Sequence, residues 1–347
     1  MAALSTRSQD TIKSIIRELE DSDTTYAIAR NYENYPDFGH DLDLFFSAPI
    51  SLFIKFIEVI AIKHSWDVVT YCNHWSKSSI PEHNVDVLRF YKLASNEYLQ
   101  VDLFRGFLVW GVPLVNAEEI LKYRNLHDSG LFYRPNLAIE NIFRMLQINS
   151  LLTNKSEIKK IARYRERVLE YVHTESESLL KCGKDLGLLY IEESLKPLSE
   201  NNFSLFSYYI NKSKRQFLFK YILKQPFLSF RQLLARIIDY YGLFISSPCG
   251  LIIEVNVQNS KHKKVIESSL DKLVDNSFIL GWSDVMNNRI LSLKKRRVLE
   301  RGGVVIKWVN HRGKNIICID DSTSSHDVYR DLQNRIILCH EVIYKKI

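Results

Sequence analysis

Gly39-His40-Asp41-Leu42-Asp43-Leu44-Phe45-Phe46 and Tyr98-Leu99-Gln100-Val101-Asp102-Leu103-Phe104 are the two stretches that decide how this chain is read. In a strand, residues two apart share a face, so Asp41 and Asp43 leave one side while Leu42 and Leu44 leave the other. Two carboxylates held that close repel each other unless a cation lies between them. Mg²⁺ suits the position, being a hard cation that takes one or two carboxylates together with substrate phosphates. If the second stretch pairs beside the first, Asp102 completes a three-carboxylate site for two-metal, in-line attack at phosphorus. Asp86, at the start of another strand, is the rival third carboxylate, but the alternation around Asp102 is cleaner.

A bare Asp-x-Asp also occurs on exposed strand edges with ordinary surface charges. Context separates the two readings. The pair follows an apolar strand and the turn Pro36-Asp37-Phe38-Gly39, and a long apolar helix, Ile50 to Lys63, comes after it. Around this pair the spacing predicts a helix over 9–20, strands over 25–31, 41–46, 66–72 and 85–93, and a hairpin partner over 98–104. Gly106 to Pro113 closes the segment as a strand or loop. That order predicts a small mixed sheet with helices packed on it.

The run Tyr26-Ala27-Ile28-Ala29-Arg30-Asn31-Tyr32-Glu33-Asn34-Tyr35-Pro36, followed by Gly39-His40-Asp41-Leu42-Asp43, resembles the polymerase-β-type nucleotidyltransferase superfamily. The nearest likeness is a bacterial branch that accompanies surface-polysaccharide genes, sometimes joined to a thymidylate-kinase-like domain. The resemblance covers about residues 20 to 115. It implies that Asp41 and Asp43 bind Mg²⁺ and an NTP such as ATP, with Asp102 as the third carboxylate. The Gly-Ser that holds the triphosphate in that superfamily is absent, and Arg30-Asn31 stands in its place. Arg30 can clasp phosphate bidentately, with Asn31 and His40 as further nucleotide contacts.

Residues 116–245 read as mostly helical, with apolar periodicity over Pro135 to Leu152 and Ile158 to Leu180. Lys159, Lys160, Arg163, Arg165 and Arg167 give the second helix a basic face, either a solvated surface or a steering surface for an anion. The aromatic residues from Phe203 to Tyr221 read as core in preference to a base-stacking surface. From residue 246 the texture changes. Leu251 to Val255 is a buried strand, Asn256 to Lys264 a loop, and Val265 to Val274 a helix, the setting of a P-loop. This part resembles the start of the thymidylate-kinase-like domain, as Lys294 to Ile306 resembles its next helix-to-strand passage. No glycine lies between Asn256 and Lys264, and His262 stands where the P-loop lysine would be. A loop without glycine cannot readily fold its N–H groups around phosphate, so 246–347 reads as a degenerate P-loop-like domain.

Composition sets wider bounds. The 347 residues carry a formal net charge of +7, with 46% hydrophobic and 25% charged content, which suits an α/β (α+β) protein of two or three domains and an anionic partner. The domain expectation is 1–115 nucleotidyltransferase, 116–245 helical and 246–347 P-loop-like. Five scattered cysteines lack zinc spacing and read as free thiols. The polar N-terminus has no signal-peptide core, and no apolar run reaches the ~20 residues of a transmembrane helix, so the expected location is cytoplasmic. The expected activity is Mg²⁺-dependent transfer of an NMP to an acceptor, with a sugar or other surface-polysaccharide precursor implied by the resemblance. Two alternatives stay open: a protein or RNA acceptor, and a silent scaffold. Nucleic acid is possible on charge but not favoured.

Overall fold

A computed structural model describes residues 6–30, 32, 35, 41–73, 85–95, 97–110, 112–152, 158–245, 251–257, 260–275, 282–286, 303–309, 317–319, 323–338 and 341–345. The chain opens with α1 (Thr6–Asp21), β1 (Tyr26–Arg30), β2 (Asp41–Phe46), α2 (Ile50–Lys63), β3 (Val68–Asn73), β4 (Val85–Lys92) and β5 (Glu97–Phe104). This is the expected order. The closing segment is a hairpin, β6 (Gly106–Val109) with β7 (Val112–Asn116). Helices then dominate: α3 (Ala117–Lys122), a small ribbon of β8 (Asn125–Leu126) and β9 (Tyr133–Arg134), α4 (Leu137–Leu151), α5 (Ile158–Asp185), α6 (Ile191–Ser199), α7 (Phe203–Lys224) and α8 (Pro226–Ile245). The last part runs β10 (Leu251–Val257), α9 (Ser260–Asp275), β11 (Trp282–Met286), β12 (Val304–Trp308), β13 (Ile317–Ile319), α10 (Ser325–Leu338) and β14 (Glu341–Lys345).

The first sheet is mixed, in the order β1-β2-β5-β4-β3-β14. Among the described residues only its second and third strands, β2 and β5, run parallel, and the other neighbours run antiparallel. One face is apolar by alternation. Leu42, Leu44 and Phe46 of β2 and Leu99, Val101 and Leu103 of β5 join Ile12, Ile15 and Leu19 of α1 and Phe53, Ile57 and Ile60 of α2 in one core. Trp66 is fully buried there, its indole N–H donating to Thr11 Oγ1 at 2.9 Å. The buried indole thus keeps a polar partner while its rings fill the core.

The opposite face is shared by two other cores. Ala27 and Phe45 pack with α3, α4, α5 and α7 through residues such as Ile120, Phe143, Val168 and Phe206. Val68 and Tyr91 pack with β10, β12, α9 and α10. Along β5 this face reads Tyr98, Gln100, Asp102, Phe104. Its ends meet the two cores, with Tyr98 against one and Phe104 against the other, and its polar centre falls between them.

The C-terminal part has a four-stranded parallel sheet in the order β11-β12-β10-β13. Its last strand leaves that layer, and β14 pairs with β3 at the edge of the first sheet. Here the structure corrects one expectation. The helix after β10 starts at Ser260, not Val265, and Asn256 and Val257 belong to the strand. Only Gln258 and Asn259, outside the described residues, separate strand from helix. His262 is therefore no loop residue; it is 5% exposed on the inner side of α9. Lys263 faces Glu267 and Asp284, each at 3.7 Å. The passage from Lys294 to Gly302 lies outside the described residues.

The basic face of α5 is partly structural. Arg165 donates to the carbonyls of Leu198 and Ser199 at the end of α6, where cations also favour the helix dipole. Arg167 pairs with Glu170 at 3.2 Å.

Lys214 on α7 is 7% exposed, and burial alone pulls its ammonium down to about 8. A lysine whose folded value lies below its unfolded one burdens the fold wherever it is charged, and the burden lifts as pH rises from about 8 towards 10.5. Lys214→Met keeps the volume and removes the charge. It should stabilise the protein by about 2 kcal/mol at pH 7, after allowance for screening. Chemical denaturation at pH 7 and above pH 10 checks this, since the gain should shrink at the higher pH.

Candidate metal and nucleotide site

Asp41, Asp43 and Asp102 come together, each offering a carboxylate oxygen within 4.8 Å of the others. Register explains the meeting. In the parallel pair, Asp43 lies beside Asp102 and Asp41 beside Gln100. Leu42, Val101 and Leu103 turn into the apolar core behind them, so apolar alternation fixes which way the carboxylates face. Asp43 is fully buried and Asp102 is 9% exposed, whereas Asp41 is half-buried.

Asp86 is excluded from this group by the same alternation. It lies opposite Leu103 on β4, and its carboxylate is held by Arg105 at 2.8 Å and by the Tyr71 hydroxyl at 2.9 Å.

Arg30, at the end of β1, lies in register with Asp43 after an irregularity in the ladder. Its Nε donates to Asp43 Oδ2 and its Nη2 to Asp43 Oδ1 at 3.1 Å. Such a fork-on-fork pair is the strong form of the arginine–carboxylate contact. The Asp43 carboxylate raises the already high proton affinity of the guanidinium. Arg30, expected as a phosphate clasp, is thus drawn onto the carboxylate. Asn31 and His40, the other expected nucleotide contacts, lie outside the described residues.

Asp102 has supporting residues that the sequence reading passed over. The Gln100 amide donates to both Asp102 oxygens, at 2.9 and 3.1 Å. Its own oxygen accepts from Arg89 Nε at 3.2 Å and from the Tyr98 hydroxyl. Two donors on the amide oxygen fix which way Gln100 points, so Arg89 and Tyr98 orient Asp102 through it. Gln100 and Tyr98 were both in the quoted stretch, on the same strand face as Asp102, and the period-two spacing was the available signal.

A second buried network anchors this end of the sheet to the helices. The Tyr32 hydroxyl donates to Glu140, which also accepts from Arg144. Arg30, Glu140, Arg144, Gln147 and Tyr164 line a cavity of about 120 Å³ with Phe45, Phe104, Phe107 and Phe143. Phe107 and Phe143 stack with ring centroids 4.0 Å apart.

Burial is the main reason the Asp102 carboxyl sits well above the usual carboxylate range, with the charges of Asp43 and Asp41 adding to it; Arg30 and Gln100 pull the other way. A carboxyl whose folded value is raised adds stability only while protonated, so metal-free stability falls as pH climbs from the unfolded value of about 3.9 through the folded one. Asp102→Asn removes that penalty. The metal-free variant should melt several degrees above the native chain at neutral pH, and the two curves should converge on acidification. Mg²⁺ should then stabilise the native chain more than the variant, which keeps only Asp41 and Asp43 for the cation.

The donor set fits a hard divalent cation. All three groups are carboxylate oxygens, with no imidazole or thiolate among them, which favours Mg²⁺ or Mn²⁺ over zinc. Among the described residues no helix is long and apolar enough to cross a membrane.

No family model matches this chain, and no curated protein does. Among solved structures, the crystal structure of JHP933 from Helicobacter pylori is similar at 13% identity and a TM-score of 0.27, over 58% of this chain and 98% of that one. A score of that size leaves fold and chemistry to be argued from this chain's own residues.

Proposed function

We propose that the protein is a metal-dependent nucleotidyltransferase that moves an NMP from an NTP to an acceptor hydroxyl or phosphate. The observation that carries this reading is the convergence of Asp41, Asp43 and Asp102 from two adjacent parallel strands. Divalent cations bound there would neutralise triphosphate charge and the charge that grows at phosphorus during transfer. Asp41 and Asp43, on one strand, hold the donor side. Asp102 stands beside them on the parallel strand, where it can hold the acceptor side, and Gln100 keeps it aimed. The acceptor oxygen attacks the α-phosphorus, the bond to the β-phosphate oxygen breaks, and pyrophosphate leaves. Arg30, whose planar fork suits phosphate as it suits carboxylate, would pass from Asp43 to a phosphate once that carboxylate has another cation.

The acceptor class follows from the resemblance, and a surface-polysaccharide precursor is the leading candidate. One residue of the α5 basic face, Arg165, is used within the fold, on the carbonyls that end α6, which weakens the case for an RNA or protein acceptor. A binding protein without turnover is the second reading. It is favoured by one observation, that Arg30 already supplies Asp43 with a cation. The parallel C-terminal sheet, with α9 following its first strand almost directly, supports a kinase-like layer that has lost its phosphate loop.

The test is NTP labelled at the α-phosphate, incubated with Mg²⁺ and a panel of sugar phosphates, RNA and the protein itself. Label transfer with stoichiometric pyrophosphate release is the expected result. NTP bound tightly under Mg²⁺ without pyrophosphate from any acceptor would favour the binding protein.

A further inference from the structure

Helix α8 is turned inside out for a helix of a water-exposed surface. Towards the bundle it presents Ser229, Gln232 and Ala235, all buried, whereas Phe227, Phe230, Leu233, Leu234 and Ile237 are exposed. Phe227 is 90% exposed and Phe230 67%. The spacing of 227, 230, 234 and 237 places these side chains on one helical face. The end of α7 adds Phe219, Ile222 and Leu223, also exposed, so both helices of the α7–α8 hairpin carry exposed large apolar side chains of the kind that mark an interaction surface.

Charge says what covers it. Across α7 and α8, from Phe203 to Ile245, the sequence holds seven Lys or Arg against one acidic residue, Asp239. Arg215, Lys220, Lys224 and Arg231 are exposed. Arg231 stands four residues after Phe227 and three before Leu234, on the flank of the apolar stripe. Lys220 and Lys224 also border a cleft of about 840 Å³ whose lining holds Lys122 and Lys181 with Glu119 and Asp185, a net excess of positive charge beside the hairpin. A second copy of the chain is a poor occupant, because a two-fold contact sets a patch against itself and would bring these cations together.

We propose that the α7–α8 hairpin docks on an anionic lipid bilayer surface. Its phenylalanines and leucines enter the headgroup–acyl boundary while the flanking lysines and arginines meet acidic headgroups. This is attachment in the interface plane, not a span. It places the protein beside lipid-borne anionic groups, and it stands whether or not the carboxylate site turns over.

The test is co-sedimentation of the full chain with phosphatidylcholine vesicles, with and without phosphatidylglycerol, at low and high salt. Binding is expected only when phosphatidylglycerol is present, and it should weaken as salt rises. Phe227→Ser with Phe230→Ser should weaken it by about tenfold or more. Lys220→Ala and Lys224→Ala should each cost about fivefold. All four positions are exposed, and thermal melts check that the variants stay folded. Asp41→Asn with Asp43→Asn should bind vesicles as the native chain does, which separates this inference from the enzymatic one. No sedimentation with either vesicle, or binding that the double serine variant leaves unchanged, overturns it. So does self-association by sedimentation velocity that the same variant abolishes without any vesicle binding.

Discussion

Asp41→Asn with Asp43→Asn should abolish NMP transfer while leaving the protein folded. Each substitution keeps the side-chain shape and an oxygen acceptor but removes a charge, so the pair loses the electrostatic reason to hold a divalent cation. If transition-state charge is offset there, the loss should be on the order of a thousandfold or more in kcat/KM, comparable to removing a principal electrostatic stabiliser. Folding should tolerate the change because like charges within 4.8 Å are relieved, and the amide oxygen introduced at position 43 can still accept from Arg30. Far-UV circular dichroism and a melt within a few degrees of the native chain establish the fold, and pyrophosphate release measures the activity. A variant that retained the native rate would show that these carboxylates do not perform the chemistry.

Arg30→Ala should destabilise the metal-free protein by about 3 kcal/mol, because it leaves the fully buried Asp43 carboxylate without its guanidinium. Mg²⁺ should recover part of that loss, since the cation and Arg30 compete for one carboxylate. Metal affinity of the variant should rise for the same reason, while affinity for the NTP should fall if Arg30 passes to phosphate. Arg30→Lys keeps a charge but loses the fork, and should be intermediate. In a double-mutant cycle with Asp43→Asn most of the stability loss should disappear. A purely structural ion pair predicts the stability loss without the opposed shifts in metal and nucleotide affinity.

Much of this site was legible because strand alternation is a strict rule. The period of two put Asp41 and Asp43 on one face; the same rule in the Tyr98–Phe104 stretch held a signal for Gln100 and Tyr98 beside Asp102 that went unused. What it could not give was the parallel register that sets Asp43 beside Asp102, a fact of tertiary pairing. Helix Ile50–Lys63 was also legible to the residue, because Pro49 and His64 bracket a dense apolar run.

The start of α9 was missed for a physical reason. Ser260, Lys261, Lys263 and Lys264 look like loop residues by composition, yet they form the exposed turn of a helix whose inner side is His262 and Ile266. The likeness to a P-loop setting pulled that boundary towards a loop the chain does not make. The return of β14 to the first sheet had no local signal, since edge pairing with β3 depends on where α10 delivers the chain. Arg30 illustrates the remaining gap. Its type predicted an anion partner, but sequence could not say that the nearest anion would be Asp43.

The most direct measurement is isothermal titration of ATP, CTP, GTP and UTP into the native chain and into the Asp41→Asn, Asp43→Asn variant, each with and without Mg²⁺. The account predicts Mg²⁺-dependent binding of at least one nucleotide by the native chain and its loss in the variant. Binding that ignores Mg²⁺ or survives in the variant, or no binding of any of the four, would contradict it.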